Sequence, residues 1–374
     1  MNEYFAGSVA QLIERGRLLR AKVPRDLPRD YDTLAQACKL KLNGLLDLLR
    51  SLLEEPIYRQ ADYQPERLRL FKRIVAELDM VETVGIAALD RAKADDHKLN
   101  ELLEKIAREI GYPLVTPVVT TLSQQYFCIV TELNLLCVPL TEGRFLLHLP
   151  DLYHELAHPL LIEQDDPVVE PMQAALFLAL RDALGYLADE LAKEDRRRGP
   201  AQPTFMLQRW EIAWVKFWMV EFFCDLFAVY TLGPAYVWAH LHLTAKRGGD
   251  PFEVPVLSAS SHPADDARMR VMLLALNLSG FTAAVDTIGL RWRQLLGQVQ
   301  AKPEPEYHRC FPDGLLAQIA TYARTGVEEI GCRLATPSTG DPVHAVLNLA
   351  WGEFWREPGA FVDWERDAVA ALMP

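Results

Sequence analysis

The chain has 374 residues, half of them hydrophobic, which is enough for one large apolar core or several smaller ones. Its formal net charge of −12 excludes an ordinary nucleic-acid partner, because phosphate backbones are bound by basic surfaces. Leu and Ala are frequent and β-branched runs are short, so the composition excludes a disordered chain and predicts a mainly helical globular protein.

The cysteines and the hydropathy pattern predict a cytoplasmic protein. Six cysteines are scattered without a C-x-x-C pair, which predicts reduced and mostly buried thiols. The first residues include Glu3 and no apolar run of signal-peptide length. The most apolar segment, 212–243, contains Lys216, Glu221 and Asp225, which favours a buried helix over a membrane span.

The predicted elements begin with a helical N-terminal region, 1–110. Apolar residues recur at helical spacing from residue 31, and Gly111 follows the last helix as a typical C-terminal signal. Residues rich in Val, Ile, Thr and aromatic side chains then predict a small sheet, with strands at 126–131 and 134–138. A catalytic core, 111–300, and a helical C-terminal region, 301–374, are predicted to follow, with Pro303 and Pro305 in the linker between them.

The helices predicted after the sheet have apolar residues at helical spacing and end near Gly, Pro or polar stretches. They cover 170–193, 205–231, 235–246, 263–278, 284–296, 315–330 and 343–355.

A HELAH pentad occupies residues 154–158, and Asp151 before it is a suitable helix start. His154 and His158 are four residues apart, so one face of a helix presents both rings to a single tetrahedral ion. Glu155 lies beside that face, near the position of a metal-bound water. The alternative is a pair of histidines on a partly buried helix.

A third ligand is expected, because hydrolytic zinc sites combine three protein ligands with a water. A metzincin needs histidine six residues after the second, where the chain has Gln164. A thermolysin-like layout offers Asp182, whereas Glu221 and Asp225 are acids four apart in an otherwise apolar helix. Buried carboxylates are costly unless they are paired or bind a metal, so Glu221 is the favoured ligand and Asp225 the favoured hydrogen-bond partner of a ligand histidine. The alternative is a helix with an exposed acidic edge.

Three motifs occur in a fixed order. After HELAH come Glu221-x-x-x-Asp225 and then His262-Pro-x-x-x-x-Arg268, which begins a predicted helix with a serine cap. Together they resemble the HtpX and CAAX prenyl protease family of gluzincins over about residues 151–270. Members of that family typically span membranes, and no spanning helix is predicted here.

The resemblance implies a zinc peptidase site. The implied Zn²⁺ ligands are His154, His158 and Glu221, with Glu155 as general base and Asp225 as the partner of a ligand histidine. His262 and Arg268 would lie at the back of the site, near the third ligand or the oxyanion. The alternatives are an ordinary helix start at His262 and a surface ion pair of Arg268 with Asp265. Pro159, directly after the second histidine, predicts a kink or an end of the helix.

The sequence therefore predicts a mainly α, zincin-like metallopeptidase core with a small sheet and helical N- and C-terminal regions. Its substrate would be a peptide or protein, bound in a cleft between the sheet edge and the HELAH helix. A regulatory protein partner is left open. Three other interpretations also remain: an inactive zincin-like binding or regulatory module, a helical scaffold with accidental motifs, and an integral-membrane protease.

Overall fold

A computed structural model describes residues 2–24, 26–90, 94–122, 126–162, 166–198, 205–254 and 260–373. Within these ranges the chain is mainly helical and has one small sheet, which confirms the predicted secondary-structure class. None of the helices described there is long and apolar enough to cross a membrane.

The helices are numbered in chain order. They are α1 Asn2–Lys22, α2 Asp32–Glu54, α3 Gln64–Met80, α4 Ala87–Asp90, α5 Ala94–Ile110, α6 Asp151–Ile162, α7 Glu170–Arg198, α8 Phe205–Ala213, α9 Met219–Leu232, α10 Pro234–Arg247, α11 Asp265–Leu278, α12 Thr282–Gln298, α13 Pro305–Cys310, α14 Asp313–Glu329, α15 Pro342–Arg356 and α16 Phe361–Leu372. Two π-helical segments, Val81–Ile86 and Trp214–Trp218, join α3 to α4 and α8 to α9. The predicted linker was partly wrong, because Pro305 begins α13, where a fixed φ suits the first helical turn.

The sheet has three short strands, β1 Val118–Thr120, β2 Cys128–Val130 and β3 Leu135–Cys137. The central strand β3 is parallel to β1 and antiparallel to β2. Asn100 of α5 holds β1 in place, since its amide donates to the carbonyl of Val119 at 3.0 Å and its oxygen accepts from the Val119 N–H at 2.8 Å.

The chain forms two compact units. The first contains Met1–Leu102 and Pro117–Thr141, and its apolar core is built mainly from one face of α2 together with α3 and the sheet. The second contains Leu103–Thr116 and Glu142–Pro374. The sheet belongs to the first unit and the HELAH helix to the second. The predicted cleft between them, and the predicted regions 1–110, 111–300 and 301–374, remain predictions.

Helix α9 is the centre of the second unit. It packs against α6, α11 and α14, and α14 packs against α7. Every residue from Phe222 to Leu232 is buried, which fits a helix that is apolar on all sides. Gly326 of α14 allows the close approach to α7, because a Cβ there would meet the Met172 sulfur at 2.8 Å.

Candidate metal centre

Helix α6 carries the HELAH pentad. The rings of His154 and His158 are one turn apart, with centroids separated by 5.2 Å and planes inclined by 72°. The predicted end of the helix at Pro159 was wrong, since α6 continues to Ile162; the predicted kink stays a prediction. Proline removes the hydrogen bond to residue i−4 and crowds the carbonyl of that residue, but the buried surroundings of α6 hold the last turn in place. Both histidines therefore lie on one continuous helix.

Helix α9 brings two carboxylates to this face of α6. Glu221 and Asp225 are one turn apart, and the side chain of Asp225 is completely buried while that of Glu221 is 14% exposed. An exposed acidic edge is therefore excluded. A buried charge needs partners, because its isolated transfer from water costs many kcal/mol.

Asp225 has three such partners. Arg268 of α11 donates from Nε to Oδ2 at 2.7 Å and from Nη2 to Oδ1 at 2.6 Å. The hydroxyl of Tyr236 on α10 donates to Oδ1 at 2.5 Å, and His154 Nδ1 lies 3.0 Å from the same oxygen. Burial alone would raise the pKa of Asp225, but the charges of Arg268 and His154 hold it well below its usual range.

Arg268 is buried beside Asp225, which contradicts the alternative of a surface ion pair with Asp265. Arg268 is only 6% exposed, and both of its N–H···O bonds to a carboxylate go to Asp225 and not to Glu221. Two parallel N–H···O bonds fix the orientation of the carboxylate plane. In this structure Arg268 thus acts on His154 through Asp225.

The orientation of His154 follows from these contacts. With Nδ1 donating to Asp225, Nε2 is the ring nitrogen left for a metal ion, which would displace the proton on it. Nε2 is 3.5 Å from Oε2 of Glu221, close to the distance of about 3.3–3.4 Å between two tetrahedral zinc ligands at 2.0–2.1 Å from the metal.

Charge and burial at these two residues are coupled. Burial lowers the pKa of His154, but the carboxylates of Asp225 and Glu221 outweigh it and raise that pKa to about 10. Burial conversely raises the pKa of Glu221, and the nearby His154, Arg268 and His262 lower it to about 2. Glu221 is therefore ionised at neutral pH, as a metal ligand must be.

The carboxylate oxygen of Glu221 that faces His154 has no hydrogen-bond partner. Oε2 of Glu221 is buried and has no hydrogen-bond partner, although buried polar atoms nearly always have one. His262 is also close, with Nε2 at 3.6 Å from this oxygen. The Ser261 hydroxyl lies 2.9 Å from Nδ1 of His262. The predicted serine cap is absent, because α11 starts with Ala264 in the N-cap position.

A further potential ligand was not predicted. The ligand atoms of His154, His158 and Cys224 all lie within 4.8 Å of one another, so this group could hold a metal ion. Cys224 is completely buried, and burial raises the pKa of its thiol. Its position three residues after Glu221 on α9 was the available signal. The donor set of two imidazoles with a thiolate or carboxylate suits zinc chemically.

The structure also gives the positions of the predicted base Glu155 and of the alternative ligand Asp182. Glu155 is 7% exposed, and its Oε2 lies 4.0 Å from Nε2 of His158. Asp182 of α7 accepts a hydrogen bond from the hydroxyl of Tyr322 at 2.7 Å and is not among the clustered metal-binding side chains found in the described chain. Tyr236 was not predicted as a site residue, since no motif in the neighbouring sequence indicates that its hydroxyl contacts Asp225.

Comparisons with protein-family models, with curated proteins and with solved structures find no match for this chain.

Proposed function

We propose that the chain is a zinc-dependent endopeptidase with a zincin-like core, in which His154, His158 and Glu221 bind the metal. The observation that carries the proposal is the 3.5 Å approach of Glu221, whose buried oxygen has no hydrogen-bond partner, to Nε2 of His154, the ring nitrogen that does not contact Asp225. The order of the three motifs, which resembles the HtpX and CAAX prenyl protease family, supports it.

The roles of the protein groups follow from their positions. Zinc bound there would make its water more acidic and polarise the substrate carbonyl. Glu155, next to a ligand, accepts the proton of the attacking water and returns it to the leaving nitrogen. Asp225 fixes the tautomer of His154, and Arg268 fixes Asp225. His262 lies near Glu221, where a ring N–H can contact a developing oxyanion.

The proposal includes a peptide or protein substrate. A nucleic acid is disfavoured as partner by the net charge of −12. A cytoplasmic location is also proposed, since all six cysteines are free thiols. A regulatory protein that binds the chain remains compatible with these features.

Replacing Glu155 by Gln tests the reaction. The variant retains the shape of the side chain and loses its basicity, so it should bind zinc like the parent and cleave about 10²- to 10⁴-fold more slowly. The assay detects cleavage of a peptide library by mass spectrometry, with metal analysis of the same samples. Glu170→Gln, at an exposed position on α7, is the matched control and should cleave normally. Equal cleavage by the Glu155→Gln protein and the parent would refute the mechanism.

Cys224 favours one alternative function, an inactive binding or regulatory module. The ligand atom of Cys224, and not that of Glu221, lies within 4.8 Å of both histidine nitrogens in one group. If Glu221 bound the ion as well, four protein ligands would leave no position for water, as in structural zinc sites.

Competition against a chelator separates the two functions. For the peptidase, Glu221→Ala should lower zinc affinity by more than the roughly 10- to 100-fold typical of losing an outer partner, while Cys224→Ala should change it little. If Cys224→Ala instead weakens zinc binding as strongly as Glu221→Ala, and the parent cleaves nothing, the binding module is favoured.

A further inference from the structure

A second polar site lies in the unit that contains the HELAH helix, and it does not depend on the proposed peptidase. It is a cavity of about 190 Å³, well above the ~15 Å³ that one water needs. The ends of α5 and α9, residues 333–341 and the start of α15 line it, and none of the metal-centre side chains does.

The walls of the cavity are fixed by backbone hydrogen bonds. The N–H of Arg333 donates to the carbonyl of Ile110 at 2.8 Å, and the N–H of Ala335 donates to the carbonyl of Tyr230 at 2.7 Å. The guanidinium of Arg333 also donates to the carbonyl of Arg108 at 2.7 Å. The segment between α14 and α15 is thereby held against two helices, so the cavity is a defined part of the fold.

Two carboxylates line this cavity, and only one of them caps a helix. Glu109 of α5 caps helix α15, accepting from the N–H of Val343 at 2.9 Å and of His344 at 3.1 Å. Asp341 occupies the N-cap position of α15, yet its side chain makes no capping hydrogen bond. Its carboxylate is 3.7 Å from Nη1 of Arg333. The lining thus has two carboxylates, Glu109 and Asp341, and one guanidinium, Arg333, which leaves one formal negative charge in excess.

His344 supplies a buried acceptor. It lines the cavity, is 6% exposed, and its Nδ1 has no hydrogen-bond partner. Burial lowers the pKa of His344, so the ring is neutral and Nδ1 can accept a hydrogen bond when Nε2 carries the proton. Such an orphaned nitrogen is rare in a folded protein and calls for a donor.

The hydroxyl of Tyr153 on α6 is another buried group without a hydrogen-bond partner. Burial, together with the charges of Glu109 and Asp341, raises the pKa of this hydroxyl. The cavity therefore combines excess negative charge, an unpaired acceptor and a nearby unpaired hydroxyl.

We propose that this cavity binds a small primary ammonium compound. Asp341 pairs with the ammonium group, one N–H donates to Nδ1 of His344, and a short carbon chain fills the remaining space beside Ile110. An ammonium group suits the site because two carboxylates face the single guanidinium of Arg333 there, and because its N–H groups can donate to Asp341 and to Nδ1 of His344.

Ethylammonium chloride is a suitable probe. With three non-hydrogen atoms, it can bind no more tightly than a Kd of about 0.5 mM, so titration to about 50 mM covers the range. We expect one saturable site by ligand-observed NMR and, near the upper concentration, a rise in melting temperature of roughly 5–10 °C. Sodium acetate at the same ionic strength should produce neither effect.

Asp341→Asn should weaken ethylammonium binding by about tenfold or more, since a charged hydrogen bond is lost. Asp363→Asn, at an aspartate whose side chain is 82% exposed on α16, is the matched control and should bind like the parent. His344→Phe should also weaken binding, and Asp341→Asn decides the question if that variant folds poorly. Absence of saturable binding, equal binding by the Asp341→Asn protein, or saturable acetate binding would each overturn the proposal.

Discussion

Replacing Asp225 by Asn removes one negative charge from a completely buried cluster and leaves the guanidinium of Arg268 without its counterion. The two charged hydrogen bonds from Arg268, at 2.6 and 2.7 Å, cannot both be accepted by an amide with a single oxygen. Breaking a buried ion pair from one side costs about 3–5 kcal/mol. In a unit of roughly 250 residues this lowers the melting temperature by about 6–20 °C.

Urea unfolding followed by circular dichroism measures this loss, in a buffer with chelator so that metal binding does not contribute. The double variant Asp225→Asn/Arg268→Met has no unpaired charge left and should be more stable than Asp225→Asn alone. Asp363→Asn is the exposed control and should change the free energy of unfolding by less than about 0.5 kcal/mol. A loss below about 1 kcal/mol for Asp225→Asn, or a double variant less stable than the single one, would refute the reasoning.

Two further predictions concern other contacts of the same unit. Tyr236→Phe removes the 2.5 Å hydrogen bond to Asp225 and should lower the free energy of unfolding by about 1.5–3 kcal/mol in the same urea assay; an unchanged value would show that this contact is dispensable. For Glu190, burial raises the carboxyl pKa, but Lys193 and Arg309 outweigh it and lower that pKa below 4.5. The parent should therefore exceed Glu190→Gln in stability by up to about 1 kcal/mol at pH 7, and the difference should vanish as the pH falls below 4.5 through the folded-state pKa; a difference that persists in acid would contradict the ion pair.

Features with local signals were predictable from the sequence. The start of α6 at Asp151 was predicted from an acidic residue in the first turn, and the end of α5 before Gly111 from a glycine that adopts a positive φ of 68°. The proximity of Glu221 to His154 was also foreseen, because a carboxylate in an apolar helix needs a partner and the pentad offered one.

Features that depend on tertiary packing were not predictable. Cys224 was interpreted as an ordinary buried thiol, although it lies three residues after Glu221 on α9, a spacing that makes the two side chains neighbours. Tyr236 lies on a different helix from the residues it contacts, and no spacing rule connects them. The role of Arg268 stays a prediction, and its contact with Asp225 depends on how α11 packs against α9.

The hydrogen-bond partners of α5 near the end of the chain determine the order in which the protein can fold during synthesis. Glu109 accepts hydrogen bonds from backbone N–H groups that lie 234 and 235 residues later in the chain. The ammonium group of Lys105 donates to the carbonyl of Leu372, 267 residues later. At about 5–20 residues per second, a ribosome needs roughly 10–50 s to add 234 residues. Until then the end of α5 lacks these partners, and such distant pairings also close slowly. The unit with the HELAH helix therefore completes its fold only when α15 and α16 have emerged, whereas the unit with the sheet has all its residues much earlier.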